Sequence, residues 1–175
     1  MTRIVLVIIF TMIIFGAAQG ELAHKLSIGE ISPDFLIVAV VAIGLLLGPI
    51  AGILAGALAG LIHASVVGMG MGTFLLSRVI VGYLAGLAKS HVFQDNPIVP
   101  FIGGVVGTLV AESVFVLFSP PVRLAAWIAP LPLIAIYNGI LTIPILWALH
   151  KLLASPIRRR PTRPFQHGTE AGNQR

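Results

Sequence analysis

Cysteine is absent from all 175 residues, which excludes disulfides and thiolate metal sites. Charge is scarce too: 10% of the chain is Asp, Glu, Lys or Arg, against 57% hydrophobic residues and a mean hydropathy of +1.02. A soluble globule carries about 25% charged residues, so this composition excludes a water-exposed surface of ordinary kind. Catalytic signatures are missing as well. There is no HExxH, no nucleophile elbow, no GxxxxGK[ST] and no paired-aspartate metal motif, and the five histidines are scattered. The expectation is a protein that is not an enzyme and that holds no metal and no cofactor.

What is present is apolar sequence in lengths that suit a bilayer. A hydrocarbon core of about 30 Å takes about 20 residues per helical crossing, so the chain has room for about six crossings and little else. The fold class expected is all-α, a polytopic membrane bundle of about six transmembrane helices, forming one domain over residues 1–153. Residues 154–175, rich in proline and arginine and then polar, are expected to be a basic, disordered cytoplasmic tail.

The spans are expected at about Arg3 to Ala18, Pro33 to Leu47, Ile50 to Val67, Thr73 to Ala88, Pro97 to Phe118 and Trp127 to Leu149. The first also has the look of a cleavable signal peptide; a retained helix is preferred because the topology closes better with it. Ser32-Pro33-Asp34 reads as a helix start, with Ser32 as cap, Pro33 at the first helical position and Asp34 favouring the positive end of the dipole. Gly48-Pro49 breaks the helix and predicts a tight hairpin between the second and third spans.

The net charge of +5 arises largely from Lys151, Arg158, Arg159, Arg160 and Arg163, just beyond the last apolar segment. That is the pattern of a cytoplasmic helix flank touching anionic lipid, and no interleaved aromatics point to nucleic acid. Arg3 and Lys89 fall on the same side as this cluster, with Lys25 and Arg123 opposite, so both termini are expected in the cytoplasm of a bacterial inner membrane.

Two sets of residues stand out within the spans. Gly52, Gly56 and Gly60 recur every four residues, and Gly82/Gly86 and Gly103/Gly107 repeat the pattern. Small residues on one helix face let backbones approach, so these predict helix packing or a partner interface. Arg78 and Glu112 are ionisable groups inside spans, where an unpaired charge costs several kcal/mol. Counting 1.5 Å per residue puts both in the outer half, with His63 at a comparable depth, and predicts an intramembrane polar cluster, read as a buried Arg78–Glu112 ion pair that locks neighbouring helices, with a ligand or partner site as the alternative. Asn138 and Tyr83 read as interhelical hydrogen-bond formers.

The run Ser32-Pro33-Asp34-Phe35-Leu36-Ile37-Val38, then Gly48-Pro49, then Gly52 to Leu61 with its spaced glycines, and finally Val81-Gly82-Tyr83-Leu84-Ala85-Gly86 resembles the MreD family of bacterial rod shape-determining proteins. The resemblance covers residues 32–88. It departs from the family at Ala64, where an aspartate is frequent, and at Leu46-Leu47, where basic residues are frequent. The resemblance implies a non-enzymatic scaffold of the cell-elongation machinery, helping control cell shape and peptidoglycan synthesis. Its implied partners are MreC, the RodA and class B penicillin-binding synthase pair and, indirectly, the MreB cytoskeleton. It also implies a fold similar to the substrate-binding subunits of energy-coupling-factor vitamin transporters, and membership of that class is the alternative reading. The two readings differ in whether the outer half encloses a polar pocket.

Overall fold

The computed structural model describes residues 2–29, 31–68, 70–91 and 96–154. The arginine-rich segment expected to be disordered lies outside the described residues. Seven α-helices are described: α1 (Thr2–Lys25), α2 (Phe35–Leu47), α3 (Pro49–Val67), α4 (Met71–Leu87), α5 (Ile98–Phe118), α6 (Leu124–Ile128) and α7 (Leu131–Ala154). One turn of 3-10 helix, Ala88–His91, follows α4. No strand is found among the described residues, so the molecule is the all-α membrane bundle that its composition implies.

Among the described residues four segments are long and apolar enough to cross a membrane: Ile4–Lys25, Pro49–Val67, Ile98–Phe118 and Leu124–Leu153. Helices α2 and α4 are apolar but shorter. The thirteen residues of α2, FLIVAVVAIGLLL, carry no polar side chain. A helix that is apolar all round belongs in the interior. Phe35 through Leu46 are indeed all buried, and α2 touches α1, α3, α4, α5 and α7, so the other helices wrap it. Their outward faces carry large apolar side chains such as Leu6, Phe10, Ile13, Leu54 and Trp147, a surface suited to lipid.

The chain reverses direction between α2 and α3, between α3 and α4, and between α5 and α7. Gly48 alone separates α2 from α3, at φ 97°, a conformation closed to residues with a Cβ, and Pro49 starts α3 where its missing amide costs nothing. Along α3 and α4, Gly52 lies against Gly82, Gly56 against Arg78, and Gly60 against Leu75, which makes the pair antiparallel. Helices α5 and α7 run antiparallel in the same way, with Gly104 against Gly139 and Thr142. One end of the bundle therefore gathers the end of α1, the start of α2, the end of α3, the start of α4, the end of α5, and α6.

Several boundaries differ from those read in the sequence. Pro33 is not the first helical residue: Asp34 is the N-cap of α2, its Oδ1 accepting from the Ile37 amide at 2.9 Å. Ser32 instead donates to the Ala23 carbonyl at 3.3 Å. Asp34 wins the cap because its carboxylate sits three residues before a free amide, the geometry an N-cap requires. The last span does not begin at Trp127, which belongs to the separate helix α6. Pro130 follows α6 and offers no amide to continue it, and α7 opens at Leu131.

Candidate functional site

The gathered end of the bundle holds the buried polar chemistry. At about 1.5 Å per residue, α2 rises only about 20 Å, less than a bilayer's thickness, so its N-cap starts below the level reached by its neighbours. Asp34 therefore lies at the depth of Arg78 on α4 and His63 on α3. Arg78 is 1% exposed. Its Nη2 donates to Asp34 Oδ2 at 2.6 Å and to His63 Nδ1 at 2.9 Å, while Nη1 donates to Ser77 Oγ at 3.0 Å. Arginine can only donate, so His63 Nδ1 must accept and the ring's proton resides on Nε2.

The pairing of Arg78 with Glu112, expected from depth alone, is not what forms. Glu112 Oε2 accepts from the Trp127 indole N–H at 2.9 Å, and Asp34 is the ion partner of Arg78. Equal depth did not decide the matter. Arg78 is on the face of α4 that packs on α3 and α2, and Asp34 heads α2 there. Helix α5 instead presents Glu112 to α6.

A second network anchors the start of α2 from the other side. The Asp34 amide donates to Asn138 Oδ1 at 2.9 Å, and Asn138 Nδ2 donates to Thr108 Oγ1 at 3.1 Å. The Phe35 amide donates to Gln19 Oε1 at 2.8 Å, and Gln19 Nε2 donates to the Pro33 carbonyl at 3.3 Å. Side chains from α1 and α7 thus bond the two amides at the open end of α2, where no intrahelical acceptor exists. Buried amides left without partners would cost about 1–3 kcal/mol each.

Above this floor lies an open-mouthed cavity of about 440 Å³. It is lined by Gln19, Ser32, Pro33, Asp34, His63 and Glu112, and on the opposite wall by Ala126, Trp127, Pro130, Leu131 and Ile134. That volume lies within the range of about 300–1,000 Å³ that small-molecule sites occupy. An aromatic row runs beneath the wall. His63 stacks on Phe74 at 4.4 Å between centroids, Phe74 meets Phe115 at 5.0 Å, and Phe115 stacks on Trp127 at 5.5 Å. The Arg78 guanidinium lies 4.8 Å from the Phe74 centroid. The row joins α3, α4, α5 and α6, so the ion pair and the cavity wall are parts of one packed unit.

The glycines of the sequence pattern divide into two groups. Gly52, Gly56, Gly60, Gly82 and Gly86 bring backbones together within the α3–α4 hairpin and at its Pro49 end, where an added Cβ would overlap backbone atoms of the facing helix. Gly107 and Gly103 face side chains instead, Val41 in both cases. Gly103 also borders a shallow apolar groove of about 260 Å³ between α4 and α5. The close glycine contact of α5 is made by Gly104 with Gly139, a pair the four-residue spacing did not single out. Gln19 and Trp127 were not read as site residues, and Asp34 was read as part of a helix start but not as the partner of Arg78. The only signal for Asp34 was that it heads a helix too short to span. Tyr83 lies 44% exposed on the outside of α4.

A bundle of apolar helices around a buried core helix, with a polar cavity recessed at one end, defines a multi-pass helical membrane protein. The chain belongs to the family described as 5TMR of 5TMR-LYT, whose model matches residues 1–149; this is a five-transmembrane, LytS-associated family. No curated protein and no solved structure matches it. The match replaces the MreD resemblance. The residues that carried that resemblance start a helix (Asp34), turn a hairpin (Gly48-Pro49) and pack two backbones (Gly52 to Gly60 with Gly82 and Gly86). Any compact bundle of short membrane helices has those needs, so they report physics rather than descent. Expectations that rested on MreD, the elongation machinery and its partners among them, lose that ground, and the comparisons give the vitamin-transporter alternative no support.

Proposed function

We propose that this chain is a membrane-embedded sensory module that binds a small polar ligand in the recessed cavity, as a receptor rather than an enzyme. The observation that carries the reading is the cavity itself. Its floor is a set of hydrogen-bonded polar side chains drawn from α1, α2, α3, α4 and α7, with Arg78 Nε alone among their buried polar atoms left without a partner among the described residues, a costly construction inside a membrane unless something polar is to be met there. Membership of a LytS-associated family supports a role in sensing. The row from Trp127 to His63 and the α7 helix, which continues from Leu131 to the opposite end, are the elements through which an occupied cavity would act on the rest of the bundle.

The charge pattern supports an orientation. Lys89 and Lys151 are at the end away from the cavity, and Arg3 and the arginines that follow α7 in the sequence add to them, against Lys25 and Arg123 at the cavity end; by the positive-inside tendency this excess favours a cytoplasmic side there and a cavity that opens to the outer side of a bacterial inner membrane. The natural absence of cysteine makes the test direct. Single cysteines at Ala126 and Ile134 should react with a membrane-impermeant maleimide in intact spheroplasts. A cysteine at Lys89 should react only in inverted vesicles, and one at Leu36 in neither. Unreactive cysteines at both cavity positions, or labelling of them only from the inner side, would sink the reading.

A further inference from the structure

We infer that the cavity takes a small organic cation of the alkylammonium class, with Glu112 as counter-charge and Trp127 as wall; this rests on the cavity being a ligand site. The lining contains two carboxylates, Asp34 and Glu112, one imidazole, His63, and neither lysine nor arginine. Asp34 is already balanced by Arg78 at 2.6 Å. Glu112 is not: among the described residues no cation lies within ion-pair distance of it, and its bond is to the uncharged indole of Trp127. A neutral donor cannot serve as a counter-ion, so of the two carboxylates lining the cavity Glu112 is the one left for a ligand's cation to pair with.

The donor set then selects the kind of cation. Zinc takes about four nitrogen, sulfur or oxygen ligands and calcium about six to eight oxygens. Among the described residues no three His, Asp or Glu side chains come close enough to share an ion. An alkylammonium asks for less: one carboxylate, and apolar or aromatic surface for its methyl or methylene groups. Trp127, Pro130, Leu131 and Ile134 provide that surface. Phe115, stacked on one face of the Trp127 ring, braces the wall. A small anion would meet Glu112 and would have to draw Arg78, 1% exposed, away from Asp34.

Trp127 supplies the readout. The chain has two tryptophans, so Trp147→Phe leaves Trp127 as sole reporter. This full-length protein in nanodiscs is titrated with tetramethylammonium chloride, with sodium chloride at matched ionic strength, and with sodium acetate. The expected result is a saturable change in emission with tetramethylammonium alone, at least about tenfold weaker in Glu112→Gln, which keeps an acceptor for the indole, and intermediate in Glu112→Asp. An unchanged affinity in Glu112→Gln or no saturable response to tetramethylammonium overturns the inference. Saturation by acetate also overturns it while leaving a ligand site in place, whereas failure of the cysteine labelling above removes the site itself.

Discussion

An arginine 1% exposed inside a helical bundle needs compensation, and Asp34 supplies it at 2.6 Å while also capping α2. Removing one member of a buried pair strands the other charge, at a cost of about 3–5 kcal/mol, whereas replacing both with apolar groups is often close to neutral. Asp34→Asn keeps a cap acceptor for Ile37 but loses the charge. It should lower the unfolding free energy of the detergent-solubilised protein by about 3–5 kcal/mol, and adding Arg78→Leu should restore most of the loss. A double mutant no more stable than Asp34→Asn would mean that the pair is not what holds this end together. Asn138 is the second residue whose loss should be felt, because it bonds both the Asp34 amide and Thr108. Asn138→Leu strands a buried amide and should cost about 1–3 kcal/mol in the same measurement.

Among the elements, the α3–α4 hairpin is the tightest. Its glycines do not merely tolerate contact: an added Cβ on Gly56 would overlap the Arg78 backbone, and one on Gly82 the Gly52 backbone. Backbone cannot move aside as a flexible side chain can. Gly56→Ala and Gly82→Ala should therefore each destabilise by about 1–3 kcal/mol, the usual cost of overpacking. Gly20 in α1 has nothing within 4 Å of the position its Cβ would take. Gly20→Ala should be neutral or slightly stabilising, since alanine favours helix by about 1 kcal/mol over glycine. Thermal unfolding of the three variants side by side separates a packing role from a loss of backbone freedom, because helix propensity alone would raise all three. Strain in the hairpin would also displace Arg78, so the two packing variants should lose ligand response along with stability.

For the whole molecule, stability should fall off from the centre. Helix α2 is buried from Phe35 to Leu46 and touched by five helices, while among the described helices α1 packs on α2 and α3 alone and exposes Phe10 and Ile13 outward. Local opening follows the loss of buried contacts. Amide hydrogen exchange in detergent should thus be slowest in α2 and faster in α1, with the five-residue link from Ser119 to Arg123 faster still. Equal protection of α1 and α2 would show that the bundle opens only as a unit.

The membrane setting, the helical class and most helix positions were legible because each depends on local sequence: apolar length, proline and glycine breaks, and the scarcity of charge. The glycine rows were legible for the same reason, since a four-residue spacing marks a helix face whatever lies opposite. Helix depth and rotation were not. Arg78 and Glu112 were found as intramembrane charges, but which acid meets the arginine depends on how far the thirteen-residue α2 is sunk in the bundle and on the way α5 turns toward α6. Sequence alone determined that a few polar groups had to be buried among apolar helices. Only the tertiary structure decided that Asp34 pairs with Arg78, that Glu112 has no counter-ion among the described residues, and that both carboxylates line one cavity, because depth and rotation are set by packing among helices far apart in the chain.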